Sequence, residues 1–183
     1  MRTILPSNKN PTLRKAAAEI LVSEIRSKRI QSLLREMKML LAKEEYGVAL
    51  AAPQVGEQLR LFIVSGRALA RDSRHAPDEI SKKKVEDVVP PLPDQVYINP
   101  QLVKISRAKK PKHEGCLSIR GKWGIILRAE KATVRAYDEH GRRFTRGASG
   151  FLAHVFQHEM DHLEGVLYID KAAKLYDEKQ PKT

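Results

Sequence analysis

The segment Gln157-His158-Glu159-Met160-Asp161-His162 carries two imidazoles four residues apart. At about 100° per residue on a helix they stand about 40° apart on one face, one turn from each other. That is the spacing at which two histidines share one metal ion, with Glu159 beside them to act on a water without ligating the metal. The chain's single cysteine, Cys116, lies in Glu114-Gly115-Cys116-Leu117-Ser118. Cys116, His158 and His162 together offer one thiolate and two neutral imidazoles. Three protein ligands leave a fourth position for water, which marks a catalytic site and not a closed structural one. Either part alone says less: an isolated H-E-x-x-H is also a zinc endopeptidase signature, and a lone cysteine is usually a small buried hydrophobe.

His154 lies on the same helical face, but it is about 12 Å from His162 along the axis at 1.5 Å per residue, too far for one ion to bind both. It is therefore read as a supporting or pocket residue. Asp161 is read either as a carboxylate that orients a histidine or as a surface charge. His113 and His140 are placed in loop or turn segments at the surface.

The elements that must position these groups follow from pattern. The 183 residues are expected to form one domain, 1–183. A helical region is read from about Ala16 to Glu45, with Ile25, Ile30, Leu33, Leu34, Met37, Leu40 and Leu41 on one buried face and Gly47 as its end. Gly47 to Gln54 is rich in small residues, which lets the backbone approach a ligand closely. Leu59–Ser65 reads as a strand. Residues 66–94 read as an enlarged polar loop, with room for a short helix around Pro77–Lys84. Strands are expected at Gln95–Ile98, Gln101–Ser106 and Lys131–Tyr137, followed by a turn at Asp138–Gly141 and a partner strand at Phe144–Arg146. The motif helix runs from about Ser149, its N-cap, to Leu163, and Gly165 stops it. The charged tail after Asp170 is expected to fray. Strands with two helices give an α+β fold class.

One cysteine cannot form an internal disulfide, so a reducing compartment is expected. The N-terminus Met1-Arg-Thr-Ile-Leu-Pro6 lacks the apolar core of a signal peptide, and no stretch reaches the roughly 18 apolar residues of a membrane span. The formal net charge of +12 is carried by scattered clusters: Lys82–Lys84, Arg107–Lys112, and Arg142, Arg143 and Arg146. It suits a solvated basic surface or attraction to an acidic partner, RNA being the obvious one.

Three segments in order resemble peptide deformylase: Gly47-Val-Ala-Leu-Ala-Ala-Pro-Gln54, Glu114-Gly-Cys-Leu-Ser118 and Gln157-His-Glu-Met-Asp-His162. Ile98-Asn-Pro100, Arg128 with its following strand, and Leu163 to Asp170 are similar as well. The resemblance covers about residues 3–172. It implies antiparallel sheets packed around the helix that carries the histidines, and removal of the formyl group from the N-terminal formyl-methionine of nascent polypeptides, releasing formate. Carried over, Cys116, His158 and His162 bind one divalent metal, Fe2+ natively, with Zn2+, Ni2+ or Co2+ able to substitute. Glu159 is the general base. The Gln54 amide and the Leu117 N–H hold the developing oxyanion. Val48, Ala49, Trp123, His154 and Val155 line the substrate, and Gly47, Glu114 and Arg128 support the site. The partners expected are N-formylmethionyl peptides and, transiently, the ribosome, with no membrane and no specific DNA. The expected location is the bacterial-type cytoplasm, or an organelle if a transit peptide has been removed.

The chain departs from the family pattern at Ala49, where a second glycine is usual, and at Arg120 and Leu127, where prolines are frequent. If the backbone at 49 required positive φ, alanine would cost about 1 kcal/mol or more. A catalytically silent deformylase-like protein binding RNA is the competing reading from another class.

Overall fold

The computed structural model describes residues 2–73 and 92–177. Its elements are α1 (Lys28–Lys43), β1 (Ala49–Ala51), β2 (Leu61–Val64), α2 (Gly66–Ser73), β3 (Gln95–Ile105), β4 (Lys109–Cys116), β5 (Ile119–Ala129), β6 (Lys131–Tyr137), β7 (Arg143–Ser149), α3 (Gly150–Leu163), α4 (Tyr168–Lys171) and β8 (Lys174–Asp177). Strands β1-β2-β3-β6-β7 form one sheet and β4-β5-β8 a second, with every pairing antiparallel. The fold is α+β, with antiparallel sheets packed against the helix that carries the two histidines.

The larger sheet is buried on both faces at β2, while the far ends of β3, β6 and β7 leave one face open. In β2, Leu61, Phe62, Ile63 and Val64 are all fully buried, although neighbours in a strand point to opposite sides. Phe62 and Val64 join Tyr97, Val134, Leu152, Phe156 and Met160 in a core under α3. Leu61 and Ile63 join Val96 and Ile98 with Ile30, Leu33, Leu34, Met37 and Leu41 of α1 in a core on the other side. A continuous apolar strand such as Leu61–Val64 is what two covered faces require. Helix α3 is buried nearly all round, so its polar residues sit inside the molecule.

Several boundaries differ from the sequence reading. Helix α1 starts at Lys28, not Ala16, because the Ser27 hydroxyl caps it by accepting from Ile30 N–H (3.3 Å). Of the preceding residues, Ala18 bridges to the 58–60 segment, its N–H donating to Gln58 O and Arg60 N–H to its carbonyl, and Val22–Glu24 form a 3-10 turn. Residues 95–105 form one strand, kinked where Asn99 adopts φ +49. Asparagine tolerates that conformation, and its side chain is locked by hydrogen bonds to both backbone groups of Ile20. The 66–94 loop opens with helix α2, and the short helix read at Pro77–Lys84 lies outside the described residues. The chain beyond Asp170 does not fray before Asp177, because Lys174–Asp177 pairs with Lys122–Ile125. Strands β4 and β5 lack the signals of isolated strands. β4 is an edge strand, where Pro111 is tolerated, and it places His113 in a strand, its Nδ1 2.5 Å from Tyr176 OH, instead of in a loop.

The N-terminal lead-in ties the site-bearing loops together. Leu5 N–H donates to Gln54 O and Ser7 N–H to Ser118 O, while Asn10 Nδ2 donates to Pro53 O. Ala17 N–H donates to Leu163 O at the end of α3. Gly165, at φ +73, lies against the Arg14–Lys15 backbone, where a Cβ would come within 2.9 Å. Arg14 also pairs with Asp170. That hydrogen bond holds the Asp170 carboxyl below its ordinary value of 3.8. A lowered carboxyl stabilises the fold above the ordinary value, and the contribution is lost as pH falls through the lowered one. The pair is solvent-exposed, so Asp170→Asn should cost less than about 1 kcal/mol at pH 7. The difference between the variant's and the parent's melting temperatures should shrink to nothing on acidification through the aspartate range.

Candidate metal centre

The β4–β5 hairpin and α3 meet at three donors. One ligand atom each from Cys116, His158 and His162 lie within 4.8 Å of one another, and Cys116 Sγ is 3.3 Å from His162 Nε2. The two rings sit nearly perpendicular with centroids 4.8 Å apart, as neighbours one helical turn apart can. His158 Nδ1 is 2.8 Å from Glu114 Oε2, which leaves Nε2 for a metal. A carboxylate behind a ligating imidazole fixes its ring and tautomer.

A divalent ion fits this donor set of one sulfur and two imidazole nitrogens. Glu159 Oε2 and His162 Nδ1 are buried with no hydrogen-bond partner among the described residues. Such atoms are uncommon in a settled core and common at functional sites.

Glu114 is the hub of the arrangement. Its Oε1 takes Arg128 Nε at 2.5 Å and His154 Nε2 at 2.8 Å, and its Oε2 takes Arg128 Nη2 at 3.0 Å. Arg128 Nη1 continues to Asp161 Oδ2 at 2.7 Å, and Asp161 Oδ1 meets Lys171 Nζ at 2.6 Å. Burial pushes the Glu114 carboxyl up, but hydrogen bonds from Arg128, His154 and His158 outweigh it and hold the group far below the usual carboxylate range. Burial pushes Glu159 up to about 7, against the pull of His158. Burial also holds His162 well below the ordinary histidine value, which keeps it neutral as a ligand must be.

Gln54 enters from the turn that follows β1. The 3-10 turn Ala52–Val55 folds its side chain back so that Ala51 N–H donates to Gln54 Oε1 at 2.8 Å. Its Nε2 is thereby aimed at Cys116 Sγ (3.5 Å) and Ser118 Oγ (3.4 Å). Leu117 follows Cys116 in the β4–β5 connection and packs toward the α1 core. Val48 and Ala49 lead into β1. Ala49 is unstrained, since Asn99 is the only non-glycine with positive φ among the described residues. Gly47 is required by space: a Cβ there would lie 2.8 Å from Leu41 O and 2.9 Å from Glu44 Cβ.

The other expected substrate contacts separate. Trp123 lies against Gly115, one residue from Cys116, where a Cβ would be 3.4 Å from the ring. His154 is engaged by Glu114, as a supporting residue would be. Val155 is buried in the core beneath α3. The sequence reading gave no role to Gln157, yet it clamps α3 to β5: Ala129 N–H donates to Oε1, and Nε2 donates to Ala129 O and Ala153 O. It also gave none to Ser118. The available signal was a run of polar residues on a helix otherwise apolar enough to be buried.

Replacing Glu114 by Gln removes the charge that orients His158 and pairs with Arg128. Loss of such an outer carboxylate typically costs about 10- to 100-fold in metal affinity. Titration of the metal against a competing chelator should show that loss, and an unchanged affinity would contradict the role given to Glu114.

The sequence model of the polypeptide deformylase family matches residues 1–178. Peptide deformylase 2 of Nostoc sp. is 37% identical over 162 residues, covering 88% of this chain and 81% of its own. The peptide deformylase of Leptospira biflexa is 34% identical over 169 residues, covering 91% of this chain and 87% of its own. The crystal structure of a peptide deformylase from Legionella pneumophila superposes with a TM-score of 0.74 at 32% identity, over 94% of this chain and 86% of that one.

Proposed function

We propose, since this chain belongs to the peptide deformylase family, that it carries out that family's hydrolysis with Glu159 as general base and with Gln54 and Leu117 as oxyanion donors. Water attacks the formyl carbon, the C–N bond breaks, and formate and a free α-amine leave. Cys116, His158 and His162 hold the metal, which when bound supplies Lewis acidity that lowers the pKa of water to about 7. Glu159 accepts the proton of the attacking water and returns it to the departing nitrogen. Its burial next to the ligands supports this, because a carboxyl shielded from solvent holds a proton near neutral pH.

The observation that carries the reading is the orientation of Gln54. Its oxygen is committed to Ala51 N–H, so its NH2 is the end turned to the cysteine sulfur. A donor fixed in advance beside the metal is what a developing oxyanion needs. The N–H of Leu117, next to Cys116 in sequence, supplies the second. The formyl-methionine segment lies between Val48–Ala49 and Leu117, with Trp123 and His154 beside its path and Val155 behind. Fe2+ is the native ion of this reading, and Zn2+, Ni2+ or Co2+ substitute for it.

Glu159→Gln should lower formate release from a formyl-Met peptide by about 100- to 10,000-fold, the usual contribution of a positioned acid–base group. Gln54→Ala should lower it by about 100- to 1,000-fold. Metal content of both proteins, measured on the same anaerobic samples, should stay at the parent level. Full activity of Glu159→Gln would exclude it as the base. Cleavage of internal peptide bonds by the parent would favour the endopeptidase alternative.

Transient association with the ribosome, in a bacterial-type cytoplasm or an organelle, completes the proposal. No helix among the described residues is long and apolar enough to cross a membrane. Pairing of Lys104 with Thr133 and of Arg143 with Tyr137 puts Lys104, Lys131, Arg135 and Arg143 on the sheet face turned away from α3. Four phosphate contacts predict a slope of about −3 for log K against log salt on single-stranded RNA. Arg135→Glu with Arg143→Glu should flatten that slope, and binding indifferent to both salt and these changes would rule this face out.

A further inference from the structure

We propose that Arg120 and Glu44 form a clasp across the mouth of the substrate cleft, and that its closure sets how tightly a formylated peptide is held. The inference rests on the reading in which the peptide lies between Val48–Ala49 and Leu117. Those two walls come from distant parts of the chain. Val48 and Ala49 follow the end of α1, whose cap residue is Glu44. Leu117 occupies the short connection between β4 and β5, and Arg120 is the second residue of β5. Arg120 Nη2 donates to Glu44 Oε1 at 2.8 Å and so joins the two walls directly.

The rest of the cleft is held without this pair. Gln54 is fixed by Ala51, and Ser118 O by Ser7 N–H. The Glu44 backbone is also anchored independently: its carbonyl accepts from Arg67 Nη2 at 2.8 Å and from Gly47 N–H at 3.0 Å, and its own N–H donates to Leu41 O. Loss of the Glu44 carboxylate therefore leaves the loop in place and removes only the bridge. The Arg120 side chain is 66% exposed and that of Glu44 23%. An ion pair so placed contributes little to folding and is screened by salt. Its leverage is on the distance between the walls, where a modest attraction is felt by whatever binds between them. Arg120 and Glu44 are thus positioning residues. Among the described residues their side chains pair with each other and not with Cys116, His158, His162 or Glu159.

The test is equilibrium binding of a formyl-Met tripeptide to the metal-loaded protein, in a Glu159→Gln background that suppresses turnover. The readout is fluorescence of Trp123, the chain's only tryptophan. Arg120→Ala and Glu44→Gln should each raise Kd by a factor of about two to five, the range of a surface ion pair. Salt at about 0.5 M should raise the parent's Kd and leave both variants unmoved, because only the parent has a pair to screen. The reversed pair, Arg120→Glu with Glu44→Arg, should bring Kd back toward the parent. Equal Kd values for parent and single variants, an equal salt response in all of them, or a reversed pair no better than the singles would each overturn the clasp. Formate release by the unmutated chain is the separate check on the underlying reading, and its outcome does not depend on either residue of the pair.

Discussion

The site depends on one buried carboxylate. Glu114 has a side chain only 1% exposed, and it is charged because Arg128, itself 5% exposed, grips both of its oxygens while His154 and His158 occupy what remains. Such a pair adds little net stability, since the cost of desolvating two charges nearly offsets their attraction. Its effect is on geometry. Each partner comes from a different element: Glu114 from β4, Arg128 from β5, the histidines from α3. A carboxylate that would be stranded by any slippage fixes these three relative to one another. Asp161 and Lys171 extend the same chain of charges to the surface.

Cys116 inherits its position from this arrangement, being two residues beyond Glu114 on the same strand. Gln54 reaches the sulfur by an independent route, through its own turn and the Ala51 N–H. Cys116 and the Gln54 amide therefore meet from two separate elements, β4 and the turn after β1, each held by its own contacts. Gln157 adds a third restraint by filling both hydrogen-bonding groups of Ala129, so that the helix cannot slide along the strand that carries Arg128.

The departures from the family pattern turn out differently from one another. Ala49 stands where glycine is usual and is unstrained, because the strand conformation it adopts is open to any residue. Arg120 has acquired a partner in Glu44. Gly47 remains a glycine because the end of α1 leaves no room for a side chain.

The cluster of Cys116, His158 and His162 and the fold class were legible in the sequence because they rest on spacing along one helix, on short contiguous motifs and on their order. Helical geometry alone places His158 and His162 together, and the order of three motifs narrows the chemistry. Strands β4 and β5 were not legible. Lys109–Cys116 is charged and contains proline, and it is a strand only because Ile119–Ala129 pairs with it. The start of α1 and the strand at Lys174–Asp177 were missed for the same reason, since a cap and a pairing partner outweigh local propensity. The sequence also left His154 open as a supporting or pocket residue, and tertiary structure alone bonded it to Glu114. A motif records which groups are present at fixed separation along the chain. Contacts between groups 30 or more residues apart depend on sheet register and helix packing, which no local pattern encodes.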